Sequence, residues 1–447
     1  MRHALAATAR STRLSLKDVL TDRRVGLMLL LGFSAGLPFL LVFGTLSAWL
    51  REAGISRTEI GLLSWIGFAY AWKFLWAPVI DRYDVPVLSR LLGRARGWMA
   101  LAQIVIAIGL AGIALSDPKA GLTFTVLCAL LVAFASATQD VVIDGWRINV
   151  AETSRQGMMA AAYQLGYRVA LISAGAGALY IAEFVDWRAA YFSMAGLMVV
   201  GLLGTLLAPS TDTVVERKPL SFAGAVIEPL ADLFRRKEML LIPILLLVGL
   251  FRLPDFVAGV MANPLYIDLG FSKVDIANVT KLYGVWVGIL GAFGGGLMLT
   301  RVGLWPTLLV GAVIAASSNL MFAWLAMAGQ QLSLLTLAIS VDNFAAGFAG
   351  SALIAYMSGL TSPAFAATQY ALLSSLYALP GKFIGGFSGA VVDTYGYPTL
   401  FTATAAIGIP LVILCFIVRR DTIAAENRPV ADEVDDIAVP AGAGARG

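Results

Sequence analysis

Histidine occurs once in these 447 residues, as His3, and cysteine twice. Charge is scarce too: Asp, Glu, Lys and Arg make up 13% of the chain, where a soluble globular domain carries about 25%. Each shortage excludes something. Catalysis that needs an imidazole base has only His3, which stands in a polar leader. Cys128 and Cys415 both lie inside apolar runs, so neither a disulfide framework nor a cysteine metal site is encoded. No cluster of metal ligands and no phosphate-cradling glycine loop occurs. With 59% hydrophobic residues and a mean hydropathy of +0.82, too little polar surface remains to cover the apolar mass in water. The net charge of +4 does not point to nucleic acid, because the basic residues are scattered through short segments between apolar runs.

Those runs are what is present in abundance. Twelve stretches, approximately 25–50, 58–80, 97–115, 121–146, 156–182, 188–208, 240–267, 275–299, 304–327, 331–357, 364–390 and 398–418, are long enough to be membrane-spanning helices, which need about 20 apolar residues each. The expected fold is an all-α polytopic membrane protein, and we number these spans 1 to 12. The first run is too long for a signal-peptide core and is read as an uncleaved span. Lys and Arg outside the spans divide 22 to 5 between alternate sides. The positive-inside bias therefore places both termini in the cytoplasm.

The halves resemble each other. Leu37-Pro38 recurs as Leu253-Pro254, 216 positions later, and at the same offset Gly54-Ile55-Ser56-Arg57-Thr58-Glu59-Ile60 recurs as Gly270-Phe271-Ser272-Lys273-Val274-Asp275-Ile276. A parallel six-plus-six repeat is the plan of a major facilitator. The expected organisation is a cytoplasmic leader (1–24), a six-helix bundle (25–208), a cytoplasmic linker (209–239), a second six-helix bundle (240–418) and a disordered tail (419–447). The linker ends in a basic, amphipathic segment around Phe222–Lys237, expected at the membrane surface.

Gly32-Phe33-Ser34-Ala35-Gly36 fits the nucleophile elbow of serine hydrolases, but that motif needs a strand-to-helix turn and a histidine. Within a span it reads as a small-residue packing face, as do Gly284, Gly288, Gly291 and Gly295. The chain is read as a non-enzyme. Charges inside spans are costly and are kept where they face a cavity and act. They are Lys73, Asp140, Asp144, Arg168, Arg252, Asp255, Lys281, Asp342 and Lys382. A structural ion pair or a snorkelling end residue is the alternative for each. Asp140 and Asp144 are i, i+4 on one helix face, and Pro254 should break span 7 between Arg252 and Asp255. The crowded aromatics of span 2 suit sugar stacking, interfacial belts or helix packing.

Several motifs together resemble a known family. Gly32-Phe33-x-x-Gly36-Leu37-Pro38, Gly44-Thr45-Leu46-x-Ala48-Trp49, Lys73-Phe74-Leu75-Trp76-x-Pro78, Asp81-Arg82-Tyr83, Ser136-Ala137-x-Gln139-Asp140, Asp144-x-Trp146, Leu165-Gly166-Tyr167-Arg168 and Ala367-Thr368-Gln369-x-Ala371-Leu372-Leu373 resemble the AmpG muropeptide permeases. The chain is shorter than many members, which carry extra C-terminal spans. The resemblance implies proton-driven import of GlcNAc-1,6-anhydroMurNAc and its peptides across the bacterial inner membrane for peptidoglycan recycling, with no cofactor beyond the proton gradient. The expected partners are the solute, protons and membrane lipid, with no nucleic acid, and the protein is expected to be a monomer. Sibling groups that carry siderophores or acetyl-CoA give the alternative substrates. The expected substrate-binding set is Arg168, Lys382, Gln139, Gln164, Tyr167 and Arg252. Asp140, Asp144 and Asp342 are the candidates for proton coupling, and Asp81 with Arg82 for a cytoplasmic gate latched when the carrier is outward-open.

Overall fold

The computed structural model describes residues 23–76, 79–80, 83–150, 153–210, 231–361 and 366–426. Most of the leader, linker and tail, and the pair Asp81-Arg82, lie outside these described residues. Ten of the described helices are long and apolar enough to cross a membrane, and they coincide with spans 1, 3–10 and 12. Span 11 is the 20-residue helix Ala366–Gly385. Span 2 is a succession of short pieces, Arg57–Leu63 and Phe68–Ala71, joined and followed by 3-10 turns.

Span 7 breaks where the sequence places proline. Arg252, at φ −104°, ψ 2°, separates Leu241–Phe251 from Leu253–Asp268. Pro254 has no N–H to continue the ladder and stands in the first turn of the second helix, where that N–H would lack an intrahelical partner anyway. Span 1 is likewise interrupted, at Phe43, between Arg23–Val42 and Gly44–Glu52. Two further irregularities are π-helical turns, Ser173–Gly177 in span 5 and Ala277–Tyr283 in span 8.

The repeat is physical as well as textual. Gly54 and Gly270 hold φ of +89° and +86°, a conformation that glycine alone adopts cheaply as it ends a helix. Two residues on, Ser56 caps the start of span 2 in a capping box with Glu59, and Ser272 caps span 8 in the same way with Asp275. Each satisfies backbone N–H groups that a helix start leaves orphaned.

Close packing follows from the glycines. A Cβ on Gly32 would lie 2.1 Å from the Tyr163 carbonyl oxygen and one on Gly36 2.6 Å from that of Tyr167, so spans 1 and 5 meet backbone to backbone. Gly291 and Gly295 seat span 8 on Phe344 and Phe348 of span 10, at 2.1 and 2.7 Å. Ser34, within the first of these faces, is fully buried.

Both described ends lie on one face. Arg23 donates to the Leu207 carbonyl and Arg96 to that of Ala208, each at 3.0 Å, gathering the starts of spans 1 and 3 with the end of span 6. In the second half, Lys237 pairs with Asp421 at 2.8 Å, and Arg236 donates to Gln369 at 3.1 Å. This corrects the expected tail: Arg419–Glu426 is helical, held by that ion pair and by the buried Thr422. Residues 231–237 of the linker are also helical, with Leu233 and Lys237 buried.

Candidate functional site

Between the halves lies a cavity of about 430 Å³. Its two walls differ in chemistry. Among the described residues, the first half contributes Phe39, Leu40, Phe43, Ile60 and Leu63 with Ser47, Ser64 and Gly67, and no charged residue. The second half contributes the charged groups Asp255, Lys281, Asp342 and Lys382, together with Asn263, Tyr266, Thr280 and Asn343.

Helix irregularities aim several of these side chains. Lys281 stands on the π-helical turn of span 8, and its stem crosses Gly175 in the π-helical turn of span 5, where an added Cβ would lie 3.1 Å from Lys281 Cγ. π-turns recur at functional positions because the extra residue re-aims a side chain. The Lys281 ammonium lies 3.5 Å from Asn263 Oδ1. Asp255 sits one turn beyond the span 7 break, 3.2 Å from Arg252 Nε, too poorly aligned for a hydrogen bond, since Asp255 Oδ2 has none. Arg252 is fixed in turn by donating to the Ala346 carbonyl at 2.9 Å. Ser318 approaches Asp342 at 3.5 Å. Lys382 donates to the Gly67 carbonyl at 3.1 Å, and Trp65 stacks on Phe383 while donating to its carbonyl at 3.0 Å. Span 11 thus leans on the 3-10 turn of span 2.

The sequence-derived set divides. Lys382 and Asp342 are on the cavity wall. Arg252 stands behind the wall and orients Asp255. Gln139 is fully buried and accepts from Ser34 at 2.8 Å; it fastens span 4 to span 1, a correction to its expected place on the wall. Gln164, Tyr167 and Arg168 do not line the cavity. They lie on Thr153–Ile172, with Gln164 and Arg168 exposed and Tyr167 half-buried beside Tyr163. Asp140 and Asp144 are separated in environment. Asp140 has an oxygen, Oδ1, buried without a partner, with Lys73 and Asp144 as charged neighbours. The Asp144 side chain is 56% exposed and faces Arg147 at 3.6 Å, so the two carboxyls do not share one desolvated pocket. Tyr70, Ser136 and Gln139 add further buried polar atoms without partners in the same half.

The sequence marks Asp255 and Lys281 as intramembrane charges but does not assign them to the site. Asn263, Asn343, Phe39 and Phe43 went unnoticed, because an Asn or Phe within an apolar run carries no signal until a neighbouring span shows which way it faces. No group of His, Cys, Asp and Glu able to hold a metal occurs among the described residues.

The family model of the Major Facilitator Superfamily matches residues 28–385. The anhydromuropeptide permease of Escherichia coli strain K12 is 35% identical over 400 residues, spanning 89% of this chain and 80% of that one. The putative transporter AmpG 4 of Rickettsia conorii is 31% identical over 402 residues, 89% of this chain and 96% of its own. Among solved structures, the nucleoside transporter NupG superposes with a TM-score of 0.67 at 16% identity, covering 88% of this chain and 99% of that chain. A bacterial homologue of the human lysosomal transporter Spinster gives 0.67 at 13%, covering 91% and 98%. These relatives are permeases and transporters, the non-enzymatic class read from the sequence, and the chain is a multi-pass membrane protein. It belongs to the Major Facilitator Superfamily and, within it, to the AmpG permeases.

Proposed function

We propose that this protein imports anhydromuropeptides, GlcNAc-1,6-anhydroMurNAc with or without its peptide, across the bacterial inner membrane, driven by protons. The likeness to the E. coli permease over most of both chains carries the reading. The cavity supports it. N-acetylated sugars present flat apolar ring faces, amides and, on the lactyl or peptide arm, carboxylates. Phe39 and Phe43 offer the aromatic wall, Asn263 and Asn343 the amide partners, and Lys281 and Lys382 the cations. Pairing a carboxylate with a lysine out of bulk water gives a charge-assisted hydrogen bond roughly twice as strong as a neutral one.

Asp140 is the coupling acid in this reading, because its unpartnered buried oxygen leaves a place for a transferable proton. Asp342, on the cavity wall, is the second candidate, and Asp144, exposed and paired, the third. Gln164 and Arg168 lie roughly two to three helical turns from Gly175 toward the termini, where they meet the solute as it leaves. Both termini face the cytoplasm, Asp81 and Arg82 gate that side, and the monomer is the working unit.

The test is uptake of labelled anhydromuropeptide into proteoliposomes, with and without a pH gradient, against a labelled siderophore. Concentrative uptake of the muropeptide that requires the gradient is the expected result. Siderophore uptake in its place would overturn the substrate, and accumulation indifferent to the gradient would overturn proton coupling.

A further inference from the structure

Span 2 is broken where it passes between the cavity and Asp140. Phe68–Ala71 is a single helical turn held between two 3-10 turns, Ser64–Gly67 and Lys73–Leu75. A 3-10 stretch inside a helix has poorer hydrogen-bond geometry and often marks a hinge. On the cavity side, Lys382 donates to the Gly67 carbonyl at 3.1 Å, and a Cβ on Gly67 would lie 3.4 Å from the Phe43 ring. Three residues on, Tyr70 stands behind the aromatic wall of the cavity. Its ring centre lies 6.0 Å from that of Phe39 and 6.2 Å from that of Phe43, and both of those rings line the cavity.

The other end of Tyr70 belongs to the surroundings of Asp140. Its hydroxyl oxygen is buried beside Ser136 without a well-formed hydrogen bond, and Asp140 is its charged neighbour. Ser136 precedes Asp140 by one helical turn, so both share a face of span 4. Ser136 Oγ and Asp140 Oδ1 are likewise buried without partners. Around Asp140 stand Tyr70 and Lys73 from span 2, Tyr163 and Tyr167 from span 5, and Asp144 from span 4 itself. Tyr70 thus touches the cavity wall with its ring and the Asp140 pocket with its hydroxyl.

We infer, resting on the proposed roles of the cavity for the solute and of Asp140 for the proton, that Tyr70 is the positioning residue that ties one to the other. A carboxylate arriving at Lys382 competes with the Gly67 carbonyl for its ammonium. A sugar ring stacked on Phe39 and Phe43 presses on the same wall. Either event shifts the short turn that carries Tyr70. A tyrosine hydroxyl donates to an ionised carboxyl and accepts from a protonated one, and the charge-assisted bond is roughly twice as strong as the neutral one. Displacing the hydroxyl therefore weighs unequally on the two states of Asp140, which is the differential interaction that coupling requires. The effect is reciprocal, so proton loading alters the affinity for the solute by the same factor.

Tyr70→Phe tests this by removing the hydroxyl while keeping the ring against Phe39 and Phe43. Because that hydroxyl is buried without a full hydrogen bond, its loss should leave Tm unaltered or raise it. Affinity for labelled GlcNAc-1,6-anhydroMurNAc is measured in lipid nanodiscs, in mildly acidic and in mildly alkaline buffer, alongside gradient-driven uptake into proteoliposomes. The parent's affinity should differ about tenfold between the two buffers, a usual size for coupled sites. In Tyr70→Phe the difference should shrink to about twofold or less, and accumulation should fall although the solute still binds. Asp140→Asn is the reference variant. If Asp140→Asn loses the pH dependence and Tyr70→Phe keeps it, the link through Tyr70 is overturned while the role of Asp140 stands. A parent without pH dependence, or an Asp140→Asn form that keeps it, overturns the role of Asp140 and the link with it. Equal loss of affinity by Tyr70→Phe in both buffers, or a lower Tm, makes Tyr70 a packing residue and also overturns the link.

Discussion

Asp140 and Asp144 show how far one helical turn moves a carboxyl between environments. The i, i+4 spacing places both on one face of span 4, as the sequence dictates, but burial depends on what packs there. Asp140 lies against spans 2 and 5 with a buried unpartnered oxygen, whereas Asp144 reaches past them to Arg147. If Asp140 carries the coupled proton, Asp140→Asn should abolish gradient-driven accumulation while sparing counterflow between preloaded vesicles, since asparagine keeps size and hydrogen bonding but cannot cycle a proton. Accumulation by the Asn variant in response to a pH gradient would move the assignment to Asp342.

At the scale of the helix, the small-residue faces set how close the spans come. Gly291 receives the Phe344 carbonyl oxygen so closely that a Cβ would stand 2.1 Å from it, and the atom in the way is backbone. Gly291→Val should therefore push spans 8 and 10 apart at a cost of about 1–3 kcal/mol or more, seen as a lower Tm of the detergent-purified protein. Gly296 has open space around the same added atom, so Gly296→Ala should leave Tm nearly unchanged. Equal losses at both positions would mean that helix flexibility, rather than contact, sets the response. The Gly-x-x-x-Gly spacing was legible in the sequence. Which span lay across it was not, because a packing face is defined only by its neighbour.

At the scale of the whole molecule, the face that gathers Leu207 and Asp421 carries the basic residues Arg23, Arg96 and Lys237. Reporter fusions should accordingly find both termini and the 209–239 linker in the cytoplasm. A periplasmic C-terminus would remove one span and with it the six-plus-six plan. The family, the non-enzymatic class, ten of the twelve spans and the repeat are readable from the chain. They rest on local properties: apolar length against bilayer thickness, loop charge, caps, prolines and glycines at fixed offsets. The site was readable only in part. Sequence alone identifies which intramembrane charges are costly to keep, and Asp255, Lys281, Asp342 and Lys382 are among them. It does not say that these four converge on one wall while Gln139 turns into a helix interface and Arg168 lies outside the lining. Convergence depends on how spans 7, 8, 10 and 11 are rotated about their own axes. That rotation is set by the break at Arg252, by the π-turn under Lys281 and by backbone contacts at Gly291 and Gly295, and these act only once the helices are packed.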